Sequence, residues 1–167
     1  LADGNISARG ASGTGGSVQL LGRQVGLVNA AQVDASGANG GGTVLVGGDF
    51  QGKNSDVQNA QQVFVGSDAS IKADATGNGN GGKVVEWADD TTQFYGTISA
   101  QGGLNGGNGG LVETSGHNLL DAQGWVNTLA PLGSAGIWLL DPTNMSITTS
   151  ANANVTAATP FQPTAAG

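Results

Sequence analysis

The 167-residue chain contains no cysteine, one histidine and four prolines, and its aromatic content is 5%. Without cysteine it can form neither a disulfide framework nor a thiolate metal site, although that absence does not choose a compartment. Only five residues are basic, Arg9, Arg23, Lys53, Lys72 and Lys83, and they are scattered singly among twelve acidic ones for a net charge of −7. A nucleic-acid surface needs clustered cations to displace counterions from phosphate, so nucleic acid is not an expected partner. There is no apolar run long enough to span a bilayer as a helix. The first residue is Leu1, with no charged and hydrophobic leader behind it, so the sequence reads as an excerpt of something longer. Charged residues make up only 10% of the chain, too few for a typical charge-rich disordered tail, and the 38% that are hydrophobic suffice for one modest core.

What is abundant is glycine, 31 residues of it, without a collagen period. Four segments share one pattern, a β-branched residue, one polar residue and alanine, then a glycine-rich stretch ending in GGxV: ISARGASGTGGSV from Ile6, VDASGANGGGTV from Val33, IKADATGNGNGGKV from Ile71 and ISAQGGLNGGNGGLV from Ile98. Their starts lie 27, 38 and 27 residues apart, and a degenerate fifth copy, VNTLAPLGSAGIWLL, begins at Val126. The long interval is one period plus an insertion near residues 49–59, DFQGKNSDVQN, which has the composition of a surface loop.

Glycine costs about 1 kcal/mol per position in a helix relative to alanine, so a helical repeat is excluded. The apolar residues alternate instead, Val44 with Val46 and Ile98 with Ala100 among others, and period two means strand. Short strands recurring every 27 residues bury a face only by stacking coil upon coil. The expected fold is all-β, a parallel β-helix (β-solenoid) of five to six coils over residues 1–149, with repeats near 6, 33, 71, 98 and 126. Residues 150–167 lose the period and read as a linker or the start of a next coil.

Alignment on GGxV places Val18, Val44, Val84 and Val112 inward, and two residues later Leu20, Val46, Glu86 and Thr114. Burying a carboxylate is costly, so a one-residue slip that puts Val85 and Trp87 inside and Glu86 in solvent is expected.

The strings GGTVLVGGDFQG, GNGNGGKVVEWADDTTQFYGTISAQGG, GGNGGLVETSGHNLL and GIWLLDPTNMSI together resemble large secreted exoproteins of the filamentous haemagglutinin type, and above all high-molecular-weight adhesins exported by two-partner secretion. VETSG and WLLDP are the specific parts, and the likeness covers about residues 1–149. It implies a right-handed parallel β-helix just downstream of the secretion domain, in an adhesin or surface filament of a Gram-negative bacterium. It further implies passage through an outer-membrane transporter and an extracellular or cell-surface location. The short asparagine-proline motifs of the family's secretion domain do not occur here, which points to shaft rather than export signal. The parent protein's expected partners are host-cell or matrix glycans or proteins.

No residue is expected to be catalytic, to bind a cofactor or to hold a metal. GNGNGG at residues 77–82 satisfies GxGxxG, but KVVEW follows where a dinucleotide site needs a helix. The turns GANGGG, GNGNGG and NGGNGG look like calcium-binding nonapeptides without the acid. Asp89 and Asp90 are expected in a solvated turn. Glu113, Ser115 and His117 could share a strand face, yet positions two apart lie about 6.5–7 Å from each other, too far for a catalytic hydrogen bond. Trp87, Trp125 and Trp138, with Phe94 and Tyr95, are expected to fill the core.

Two alternatives to a shaft remain. A glycan- or matrix-binding module would show an exposed aromatic cluster, and a β-helical polysaccharide lyase or hydrolase would show paired carboxylates, for which Glu86 and Glu113, 27 residues apart, are the candidates. Three sequons, at Asn5, Asn144 and Asn154, are candidate glycosylation sites by resemblance to glycosylated adhesins, and Asn5 and Asn144 should point outward.

Overall fold

The computed structural model describes residues 1–141 and 143, so Asn144, Asn154 and the expected linker at 150–167 lie outside the described residues. Among the described residues thirteen strands follow one another, with one short 3-10 turn at Phe50–Gly52. The first coil contains β1 (Asn5–Ser7), β2 (Ser17–Leu20) and β3 (Gln24–Leu27), and the second β4 (Gln32–Asp34), β5 (Thr43–Val46) and β6 (Ala60–Val65). The third has β7 (Ser70–Lys72) and the long β8 (Lys83–Phe94). The fourth has β9 (Thr97–Ser99), β10 (Leu111–Gly116) and β11 (Leu119–Ala122), and the fifth β12 (Trp125–Asn127) and β13 (Ile137–Leu140).

All strand pairings are parallel and join one coil to the next, as the β-solenoid expectation requires. The five repeat starts stack in one column: Ile6 beside Val33, Val33 beside Ile71, Ile71 beside Ile98, and Ile98 beside Val126. They belong to a five-stranded sheet of order β1-β4-β7-β9-β12. A second sheet, β13-β10-β8-β5-β2, forms another side of the column, and β3, β6 and β11 extend it around a corner through the second half of β8.

The GGxV element has a steric cause. The amide of each second glycine donates to the carbonyl of the strand before the turn, Gly42 to Ala35 and Gly82 to Ala73 at 2.8 and 2.7 Å, closing the loop onto itself. The turn then lies so close to its neighbours that a Cβ on Gly41 would meet the Ala73 carbonyl oxygen at 1.9 Å, and one on Gly42 the Gly16 oxygen at 2.0 Å. Small residues are thus demanded by the stacking distance of strands, about 4.8 Å.

The core is a single stripe running through the coils, containing Leu27, Val33, Val44, Val46, Ile71, Val84, Phe94, Ile98 and Val112. The slip anticipated around Glu86 does not occur. Val44, Val84 and Val112 stay in register, and Glu86 sits between Val46 and Thr114, fully buried. Val85 and Trp87 are also buried, but on the outer surface of the same strand, in a second cluster with Leu45 against which Val57 packs. Both faces of β8 are covered there, so burial of Trp87 does not require the slip.

Asp89 and Asp90 lie within β8 rather than in a separate turn. They mark the corner at which that strand passes from β10 to β11, and β6 takes an irregular step opposite them, between Ala60 and Gln62.

Candidate functional site

The insertion after β5 is an ordered cover. Asp49 caps the 3-10 turn by accepting the Phe50 amide at 2.7 Å, receives Asn54 Nδ2 at 2.8 Å and pairs with Lys83. Gln51 takes a φ of 55°, and its amide donates to both carboxylate oxygens of Glu113 at 3.2 and 3.1 Å. Gly52, at φ 62°, lies against the Trp87 indole, where a Cβ would come within 2.4 Å of the ring. Burial pushes the Asp49 carboxyl up, but the hydrogen bonds from Asn54, Lys83 and the Phe50 amide outweigh it and hold the group at about 2. Asp49 therefore stabilises the fold above its ordinary value of 3.8, and that contribution is lost as pH falls toward about 2. Asp49→Asn is expected to cost about 0.5–1 kcal/mol, as a partly exposed pair does, with the loss read from urea midpoints at neutral pH and absent at low pH.

The carboxylate pair required by a polysaccharide-cleaving site is not formed. Glu113 lies beside Val85 on the outer surface, under the insertion, whereas Glu86 lies beside Thr114 and faces the core. Burial pushes both carboxyls up, Glu86 to about 8 and Glu113 in the same direction against the Gln51 amide. Neither Glu86 oxygen has a hydrogen-bond partner among the described residues.

Ser115 is buried in β10 while His117 follows the strand, exposed, its amide bonded to the Ala88 carbonyl at 3.0 Å. GNGNGG runs into β8, and its amides are engaged within the stack, Gly77 and Asn78 to the Ala38 carbonyl of the coil before, Gly79 to the Gly106 carbonyl and Gly81 to that of Asn108 in the coil after, and Gly82 to Ala73. The asparagines of these turns form a ladder, Asn80 Oδ1 accepting the Asn108 amide at 2.8 Å and Asn108 Oδ1 the Ser134 amide at 3.0 Å. Among the described residues no group of three or more His, Asp or Glu side chains could hold a metal ion. No described helix is long and apolar enough to cross a membrane. Asn5 is exposed on β1, the outer strand of its sheet.

The aromatic residues divide differently from the expectation. Phe94 fills the core, Trp87 lies beneath the insertion, and Trp125 is 61% exposed. Trp138 stacks on Val112, and its indole donates to Thr114 Oγ1 at 2.9 Å. Tyr95 is on the outside, where its ring meets Phe64 edge to face at a centroid separation of 5.8 Å. Phe64 is a further exposed aromatic outside the expected set, and alternation marks it: in AQQVFV, Val63 and Val65 go inward and force Gln62 and Phe64 out. The resulting outer row places Gly26, Phe64, Gln93 and Asp121 on successive coils, and beside it run Gln24, Gln62, Thr91 and Leu119. Tyr95 Oη donates to Asp121 Oδ2 at 2.7 Å and accepts Gln93 Nε2 at 3.0 Å, while Gln123 Nε2 donates to Asp121 Oδ1 at 2.9 Å. The bond to Asp121 raises the Tyr95 phenol above its ordinary value, and the bonds from Gln123 and Tyr95 lower the Asp121 carboxyl.

A solved structure, the crystal structure of the HMW1 secretion domain from Haemophilus influenzae, matches this chain with a TM-score of 0.62 and 30% sequence identity. The match covers 77% of this chain and 35% of that one, so the chain spans about a third of the structure it resembles. No family model and no curated protein matches the chain. The resemblance to high-molecular-weight adhesin type exoproteins carried by VETSG and WLLDP is borne out. The neighbour is itself a secretion domain, whereas the sequence resemblance implied a segment just downstream of one.

Proposed function

We propose that this segment is a structural piece of a large secreted bacterial adhesin or surface filament, a rigid column that holds binding regions away from the cell. The supporting observation is the unbroken stacking of Ile6, Val33, Ile71, Ile98 and Val126, which makes the chain one continuous core instead of a scaffold around a cleft. The likeness to an HMW1 secretion domain supports export through an outer-membrane transporter and a place outside the cell. No residue is assigned covalent chemistry in this reading. The exposed sequon at Asn5 is proposed as a modification site of the shaft surface.

A spacer can be replaced by any column of equal length. In the parent protein displayed on cells, deletion of this segment is expected to reduce adhesion, and an unrelated five-coil β-solenoid in its place is expected to restore it. Adhesion that stays lost with the substitute in place overturns the shaft reading.

A further inference from the structure

We propose that the outer face centred on Phe64 is a binding site for uncharged oligosaccharides. This adds a ligand to the column without depending on the spacer role. Phe64 is 37% exposed on a strand whose neighbouring residues Val63 and Val65 are locked in the core, so the ring is a rigid platform. Tyr95 braces it edge to face and is itself tied to Gln93 and Asp121. Such a platform suits the apolar C–H face of a pyranose, which stacks on an aromatic ring while its hydroxyls point sideways.

The surroundings supply partners for those hydroxyls. A groove of about 500 Å³ on one side of the ring is lined by Gln24, Gln62, Thr91 and Gln93, with Leu1 forming part of its wall. A second groove of about 420 Å³ on the other side carries Asn29, Ser67, Asp68 and Tyr95. Both volumes fall within the range of small-ligand sites, about 300–1,000 Å³. Amides and hydroxyls both donate and accept, which is what sugar hydroxyls require. No lysine or arginine lines either groove, and Arg23 in the adjoining one is accompanied by Asp90. The charge therefore selects neutral sugars over sialylated or sulfated ones. Gly26 beside Phe64 has no side chain, and the Leu1 side chain takes that place, its Cδ2 2.6 Å from where a Cβ would stand.

The test is an array of neutral, sialylated and sulfated oligosaccharides probed with the chain, followed by calorimetric titration of the neutral oligosaccharide that gives the strongest signal. Neutral sugars are expected to bind, Phe64→Ala to weaken binding at least about tenfold, in line with the loss of a stacking aromatic, and Phe64→Trp to retain it. Trp125→Ala, an exposed aromatic on the other sheet, is expected to leave binding unchanged. Circular dichroism checks folding of each variant, and if Phe64→Ala does not fold, Gln62→Ala and Gln93→Ala decide by the same weakening. The proposal is overturned by binding to anionic glycans alone, by no glycan binding, by binding that survives every one of these face substitutions, or by a Phe64-dependent association with a protein or second copy in place of sugar.

Discussion

Raising the pH from about 5 to about 9 is expected to loosen this fold, and Glu86→Leu is expected to remove most of that effect. Glu86 is fully buried between Val46 and Thr114, with both carboxylate oxygens unpartnered. Two buried hydroxyls of the same strands are satisfied, Thr92 Oγ1 by the Ser115 carbonyl at 2.7 Å and Thr114 Oγ1 by Trp138. Burial pushes the Glu86 carboxyl from 4.5 up to about 8. Below the lower value both folded and unfolded chains hold the proton, and Glu86 adds no pH dependence. Between the two values the unfolded chain has released its proton and the folded chain keeps it, so stability falls by about 1.4 kcal/mol per pH unit. Above the upper value the decline stops, with about 5 kcal/mol lost, a large fraction of a typical domain's stability. Urea midpoints across the pH series measure this. Glu113, raised in the same direction, contributes a smaller slope that persists in the variant. Leucine is the natural replacement because Leu20 holds the corresponding place two coils away. Glu86→Gln is expected to flatten the slope with a smaller gain, since an unpartnered amide remains buried. A native slope no steeper than that of Glu86→Leu would falsify this account of the core.

The coil period was readable because steric demand repeats with the structure. Each β-branched residue of the first strand stacks on its counterpart, and each GGxV marks the place where a turn presses on its neighbours, so both features recur as letters. The register at KVVEW is not legible in the sequence because alternation carries information only when one face meets water. Val84 and Glu86 face the core while Val85 and Trp87 face the insertion, so four consecutive residues are buried and the period vanishes. The insertion looked like a solvated loop because its contacts come from backbone and small polar groups, the Gln51 amide on Glu113 and the Asp49 cap, and composition does not record these. The corner at Asp89 and Asp90 was hidden for a related reason, since a strand that bends without breaking has the polar residues of a turn and the hydrogen bonds of a sheet. Phe64 was missed because it falls in a strand that the repeat alignment did not include.

Gly82→Ala is expected to destabilise the chain by about 3 kcal/mol or more, whereas Gly13→Ala is expected to fall within about 0.5 kcal/mol of the native value. Two explanations of the abundant glycine make opposite statements here. If glycine serves only to let the turns bend, alanine at a site without positive φ should stabilise by about 0.4–1 kcal/mol, by restricting the unfolded chain. If glycine serves close approach, the cost depends on what the added methyl meets. At Gly82 it would lie 2.1 Å from the Gly42 carbonyl oxygen and 2.9 Å from the Ala73 methyl. That oxygen already accepts the Lys83 amide at 2.9 Å, so the coils cannot part there without breaking the ladder that joins them. Gly13 has nothing within 4 Å, and Gly106 has equally open space but a φ of 141°, so Gly106→Ala isolates the backbone contribution at an intermediate cost of about 1 kcal/mol. The ordering Gly82, Gly106, Gly13 in urea midpoints therefore separates contact from conformation. Equal, small effects at Gly82 and Gly13 would mean that the turns do not press on one another. The stacked column would then lose the reason that its repeats end in paired glycines.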